Sequence, residues 1–209
     1  MTFPVEGNDW WWTAPFHQVR NPGKKNEHVH GAQDLACTKP VRELAMFAGD
    51  VYYHKICVHR GKESSYHAYG TVKWLEGRDY PFANYRMDVY GICAVLVRRN
   101  PAQMWVYAHL DPESSQFWDS MARRDIDHEQ DNENFTWGWI VGPKPVEKGQ
   151  PIGVMGYTGY CLSADPENPH GRHLHQEGHR GLYWNDYHTR INLEQTELSQ
   201  ALRRRKAWR

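Results

Sequence analysis

Three short patterns in the sequence combine residue types able to bind a metal ion or move protons. The first is His30-Gly31-Ala32-Gln33-Asp34, a histidine and an aspartate four residues apart beside small residues. The second is His173-Leu174-His175, inside the stretch Asn168-Pro169-His170-Gly171-Arg172-His173-Leu174-His175-Gln176-Glu177. On a strand, residues i and i+2 share a face, so His173 and His175 are expected to project into one pocket while Leu174 turns away. The third is Trp105-Val106-Tyr107-Ala108-His109-Leu110, an apolar and aromatic run that ends on a histidine. Taken singly, each has an ordinary reading: solvated loop residues, exposed strand histidines, a satisfied core histidine. Taken together, two histidines and one aspartate make the nitrogen and oxygen ligand set of a catalytic zinc, with two further histidines left for proton transfer.

The elements that must position these residues read as mainly β. Runs rich in Val, Ile, Tyr or Trp and bounded by Gly, Pro, Asn or Asp predict strands over Asp50 to Val58, Gly70 to Leu75, Tyr90 to Arg98, Met104 to His109, Phe135 to Val141, Ile152 to Gly156 and His173 to Gln176. Helical spacing of apolar residues occurs over Pro112 to Arg124 and Leu193 to Arg205. The stretches 61–88 and 111–134, the latter with an acidic portion from Asp125 to Glu133, read as insertions between strands that serve as binding loops or surface decoration. We expect one domain over residues 1–192 and a basic, helical tail over 193–209 that carries Arg203-Arg204-Arg205-Lys206 and Arg209.

Composition bounds the function classes. Basic and acidic residues balance at 25 each, so no global field draws the 209-residue chain to nucleic acid or to a membrane surface. The 13 histidines suit metal or proton-transfer chemistry, and the 10 tryptophans suit aromatic platforms or an aromatic core, with Trp10-Trp11-Trp12 the densest group. Cys37, Cys57, Cys93 and Cys161 lie far apart with no CxxC pair, which argues against a structural zinc knuckle. They are expected as buried thiols, with a Cys57–Cys93 bridge open if the compartment is oxidising. No apolar run approaches a membrane span and the first residues lack the regions of a signal peptide, so a soluble protein made in the cytoplasm is expected.

In this order along the chain, the blocks resemble the lysostaphin and LytM-type zinc endopeptidases of peptidoglycan. The likeness runs through Thr13-Ala14-Pro15-Phe16 with Arg20, His30 and Asp34, Pro40-Val41, Ala48-Gly49-Asp50-Val51 and Tyr90-Gly91. It continues through Tyr107-Ala108-His109-Leu110, Val146-Glu147-Lys148-Gly149-Gln150-Pro151-Ile152-Gly153, Gly156-Tyr157-Thr158-Gly159 and Gly171-Arg172-His173-Leu174-His175, and so covers about 13–177. The resemblance implies an antiparallel β-sheet groove of the LytM/lysostaphin catalytic-domain type, one zinc ion on His30, Asp34 and His175, and His109 with His173 as the pair that handles protons and stabilises charge. It implies hydrolysis of a peptide bond in the stem or cross-bridge of bacterial peptidoglycan. Without a leader or an evident wall-binding module, the expected setting is a phage or prophage lysin, or a wall hydrolase carried on a virion.

Two departures from the family pattern stand out. Gly31 follows the first ligand at once and Ala32 takes the place where a glycine is usual, so the local turn is expected to differ. Gln176 stands where an apolar aromatic is usual, so the face of its strand opposite the zinc is expected to be wetter. The rival readings are a zinc carboxypeptidase or amidase with a Glu base, a catalytically inactive wall-binding domain on the same fold, and a structural virion protein that uses the Trp triplet for assembly.

Overall fold

The computed structural model describes residues 3–14, 18–20, 22–25, 27–60, 69–70, 85–86, 90–131, 134–159, 161, 168, 170–181 and 191. Alternating apolar and polar side chains over short runs fold as strands: β1 (Trp10–Ala14), β2 (Val19–Arg20), β3 (His28–Val29), β4 (Gln33–Cys37), β5 (Arg42–Leu44), β6 (Gly49–Arg60) and β7 (Tyr69–Gly70). They continue as β8 (Tyr85–Arg86), β9 (Ile92–Arg99), β10 (Ala102–Ala108), β11 (Arg123–Asp131), β12 (Asn134–Val146), β13 (Pro151–Val154) and β14 (His173–Arg180). Eight of them form one sheet in the order β1-β4-β14-β10-β9-β6-β12-β11. Every neighbouring pair in it is antiparallel. The chain is thus mainly β, as its sequence leads one to expect.

The period of two assigns the faces. Leu35, Leu174, Trp105, Tyr107, Ala94, Leu96, Val51 and Tyr53 point to one side and join a single buried apolar cluster. The small β5–β13 sheet and its flanks close over that side with Met46, Ile152 and Met155. Each leucine fully buried there contributes about 1.5–3 kcal/mol. Trp10 and Trp12 belong to the same cluster, with Trp10 stacked on Phe3 at 4.4 Å between ring centroids. Two of the three tryptophans of the triplet are therefore core. The intervening residues, Asp34 on β4 and His173, His175, Glu177 and His179 on β14, project from the opposite face.

Several expectations are corrected. The stretch from Pro112 to Arg124 is not a helix: only Pro112–Phe117 turns, as a 3-10 helix capped by the Asp111 side chain, and Arg123 already begins β11. Its apolar spacing reflects Phe117, Trp118 and Met121 packing onto the core, while Ser114 Oγ accepts from the Val154 N–H at 2.8 Å and pins the turn to β13. Within the expected insertion 111–134, Arg123–Asp131 forms β11, which pairs with β12 at the edge of the main sheet, where its charged run suits an edge strand. Cys93 is a free, buried thiol whose cross-strand neighbour is His54, so the Cys57–Cys93 bridge is not formed. Of the expected strand Gly70 to Leu75, Tyr69–Gly70 pairs with Tyr85–Arg86, and 71–75 lie outside the described residues. The tail 193–209 and its expected helix also lie outside them. Among the described residues no helix is long and apolar enough to cross a membrane.

Candidate metal centre

β4 and β14 bring together residues 141 positions apart, because their register sets His175 directly opposite Asp34. His175 Nδ1 lies 3.0 Å from Asp34 Oδ1. His30 comes from the turn that leads into β4, where its N–H donates to the Gln18 carbonyl at 2.8 Å. Its Nε2 sits 3.3 Å from the same Asp34 oxygen and 3.4 Å from His175 Nδ1. A tetrahedral zinc with ligand bonds of about 2.0–2.2 Å holds its donors roughly 3.3–3.6 Å apart. This triangle of two imidazole nitrogens and a carboxylate oxygen has nearly that size, so His30, Asp34 and His175 could hold a metal ion.

A carboxylate behind His175 fixes its ring. Glu177, buried on the same face of β14, lies 3.0 Å from His175 Nε2, accepts the Tyr90 hydroxyl at 2.7 Å and lies 3.3 Å from His179 Nε2. An ionised carboxylate only accepts, so His175 Nε2 carries a hydrogen and Nδ1 is the nitrogen left for a metal. Burial opposes charge on both partners of the His175–Asp34 pair. Their hydrogen bonds outweigh it, holding the Asp34 carboxyl well below the usual carboxylate range and His175 up at about 9. The group is therefore poised as a carboxylate and an imidazolium that a cation displaces a proton to enter.

His109 and His173 stand beside it, with ring centroids 4.5 Å apart and His109 5.9 Å from the His175 ring. His109 directly follows β10 with φ 65°, a left-handed conformation costly for a side chain with a Cβ. Two bonds hold it there: its N–H donates to the Tyr90 carbonyl at 2.9 Å, and Nδ1 donates to the Thr158 carbonyl at 2.8 Å. Thr158 is itself anchored, since its hydroxyl donates to the Leu110 carbonyl and accepts from the Ile92 N–H. Gly91, at φ 64°, permits this approach, because a Cβ there would run into the Thr158 backbone. His173 Nδ1 donates to the Gly171 carbonyl at 2.6 Å. The lone pair of both rings thus sits on Nε2. Burial, with His173 and His175 nearby, holds His109 well below the usual histidine range, so it is a neutral base.

The approach to β14 is rigid. Arg172 Nη1 donates to Asp111 Oδ2 at 2.8 Å and to the Met155 carbonyl at 2.6 Å, and the Asn168 side chain brackets the Arg172 backbone with bonds of 2.8 and 2.9 Å. On the face opposite the site, Gln176 is fully buried and accepts from Gln33 Nε2 at 2.9 Å. That face is buried here rather than opened to solvent, and the cross-strand Gln33 gives a donor to the Gln176 amide that replaces an aromatic.

All five residues singled out in the sequence converge: His30, Asp34 and His175 in one group, His109 and His173 next to it. Four participants were given no role from the sequence: Tyr90 and Thr158, which lie in blocks of the family likeness, and Glu177 and Cys161. Extending the strand alternation two residues past His175 points to Glu177, whereas nothing local marks Cys161. The Cys161 thiol joins His109 and His173 in a second group of donors, and burial pushes it up to about 12. No family model, no curated protein and no solved structure matches this chain.

Proposed function

We propose that this chain is a zinc-dependent endopeptidase that hydrolyses a peptide bond in the stem or cross-bridge of bacterial peptidoglycan, on a sheet of the LytM and lysostaphin type. One observation carries the reading. Two imidazole nitrogens and one carboxylate oxygen, drawn from His30, Asp34 and His175, meet at the spacing of a tetrahedral ion's ligands. They do so beside two further imidazoles whose Nδ1 atoms are tied to carbonyls.

When bound, zinc supplies a Lewis acid that polarises a carbonyl and lowers the pKa of water to roughly 7. The chain's own residues do the rest. His109, neutral and held by the Thr158 carbonyl, takes a proton on Nε2 from the attacking water and then returns it to the leaving amine nitrogen. His173, held by the Gly171 carbonyl, faces the same space with Nε2 and, once protonated, donates to the oxyanion of the cleaved carbonyl. Glu177 lies behind His175, on the side of the ring away from Nδ1, so it orients a ligand and is not placed as a general base. That favours a His-based mechanism over the rival with a glutamate base. The convergence of both histidine pairs and the aspartate favours an enzyme over an inactive wall-binding or structural domain.

The test is digestion of purified peptidoglycan followed by mass analysis of the soluble fragments. Fragments with new free amino termini, absent after chelation and restored by zinc, are expected. New reducing sugar ends without new amines, or no release from walls of several cross-link chemistries, would overturn the proposal.

A further inference from the structure

Besides the proposed zinc ligands, the described residues hold one more group of donor atoms close enough to share an ion: His109, Cys161 and His173, all within 4.8 Å of one another. They are the residue that follows β10, a residue two positions after Gly159 and the first residue of β14. Nothing in the peptidase reading uses Cys161.

We infer that His109, Cys161 and His173 form a second, thiolate-containing site for a divalent zinc-type cation, and that its occupation switches off the hydrolysis proposed above. The regulatory half rests on that proposal; the site itself does not.

The first support is orientation. Histidines that bind metals typically donate their other ring N–H to a carbonyl or carboxylate, which fixes the tautomer and aims the lone pair. Both imidazoles have this arrangement, with Nδ1 on Thr158 O and on Gly171 O, so both offer Nε2. The thiol shares one of these anchors, since Cys161 Sγ lies 3.6 Å from the same Thr158 carbonyl that holds His109. One backbone group thereby sets the position of a nitrogen and a sulfur donor.

The second support is distance. Zinc with Zn–S of about 2.3 Å and Zn–N of about 2.0–2.1 Å needs donors roughly 3.3–3.7 Å apart, so movements of about 1 Å close the group. Cys161 and His173 are both partly exposed. The donor set also selects the ion, because a thiolate with two imidazoles favours zinc and its thiophilic relatives over magnesium or calcium. On binding, the Cys161 S–H bond breaks, its proton passes to solvent, and sulfur and both Nε2 lone pairs enter the metal's coordination shell.

The consequence follows from shared atoms. The Nε2 lone pairs of His109 and His173 are the ones the proposed chemistry uses for proton transfer, so an ion held there removes them. The first metal equivalent would activate and the second inhibit.

Cobalt distinguishes the two sites, because only the second contains sulfur and gives a thiolate-to-cobalt charge-transfer absorption. Reduced protein in excess cobalt should bind about two ions per chain and show that absorption. Cys161→Ser should bind about one and lose it, and Cys161→Ala should do the same, while His30→Ala should keep it. With zinc, hydrolysis by the wild type should fall about 100-fold or more as the second equivalent binds, and Cys161→Ser should resist this fall. Absence of the absorption in the wild type, or its persistence in both Cys161 variants, would overturn the site. An absorption that depends on Cys161 would stand even if the protein hydrolysed no peptidoglycan, so failure of the peptidase reading is told apart from failure of this one.

Discussion

Replacing Glu177 with Gln keeps the size of the side chain and removes its charge. In the native arrangement the carboxylate meets His175 Nε2 at 3.0 Å, the Tyr90 hydroxyl at 2.7 Å and His179 Nε2 at 3.3 Å. A hydrogen bond to a charged group contributes about 1.5–3 kcal/mol, so its loss behind a metal ligand should weaken zinc binding roughly 10- to 150-fold. That agrees with the usual factor of about 10–100 for the outer partner of a metal histidine. Protons complicate the comparison in a predictable direction. Burial pulls His175 down, but hydrogen bonds to Asp34 and Glu177 hold it at about 9, so below that pH protons compete with zinc more strongly in the wild type than in the variant. The difference in affinity should therefore be full above pH 9 and smaller at pH 7. Competition with a chromophoric chelator at both pH values measures it. Tyr90→Phe, which removes one donor and leaves the charge, should cost about 1 kcal/mol, or about fivefold. Zinc affinity of Glu177→Gln within twofold of wild type above pH 9 would refute the assignment of Glu177 as the residue that orients His175.

Three further outcomes follow from the structure. Neither carboxylate oxygen of the buried Glu43 has a hydrogen-bond partner among the described residues, and burial holds its carboxyl well above the usual range. The folded state keeps a proton that the unfolded chain releases above about 4.5, so stability falls as pH rises from there, by up to about 1.4 kcal/mol per pH unit. Glu43→Gln should then melt higher than wild type at pH 8 and no higher at pH 4, and an equal difference at both would count against a protonated Glu43. Gly91→Ala forces a Cβ into the Thr158 backbone at φ 64° and should cost about 1–3 kcal/mol in urea denaturation, together with activity through the displaced His109. Arg172→Met leaves Asp111 buried without its partner and should cost about 3–5 kcal/mol, most of it recovered when Asp111→Asn is added; simple additivity of the two changes would contradict a coupled pair.

The parts of the site legible in the sequence are those governed by local periodicity. Alternation alone puts His173 and His175 on one face, and the same rule, carried two residues further, reaches Glu177. The strands from Gly49, Ile92, Ala102 and Asn134 were readable because β-branched and aromatic runs end at turn residues. What lies beyond local reading is register. Nothing near Asp34 says that it pairs with a residue 141 positions away, and only the β4–β14 alignment makes His175 its neighbour. Pro112 to Arg124 shows the converse failure, where helical spacing arose from three residues reaching a core below a 3-10 turn. Cys161 gave no signal because a single cysteine acquires meaning only from the histidines brought to it.

Zinc content measured on five single-alanine variants tests the central claim most directly. Each protein, carrying Cys161→Ser so that the second group of donors cannot take up the metal, is loaded with one equivalent of zinc, freed of excess, and assayed for metal, melting temperature and hydrolysis of peptidoglycan. Changing His30, Asp34 or His175 should remove the zinc and the hydrolysis together, since two protein ligands do not hold the ion. Changing His109 or His173 should leave about one zinc per chain and a folded protein while hydrolysis falls about 10²- to 10⁴-fold. With Cys161 replaced, zinc retained by the first three variants and lost from the last two would contradict the assignment and move the metal to the neighbouring histidines, His109 and His173.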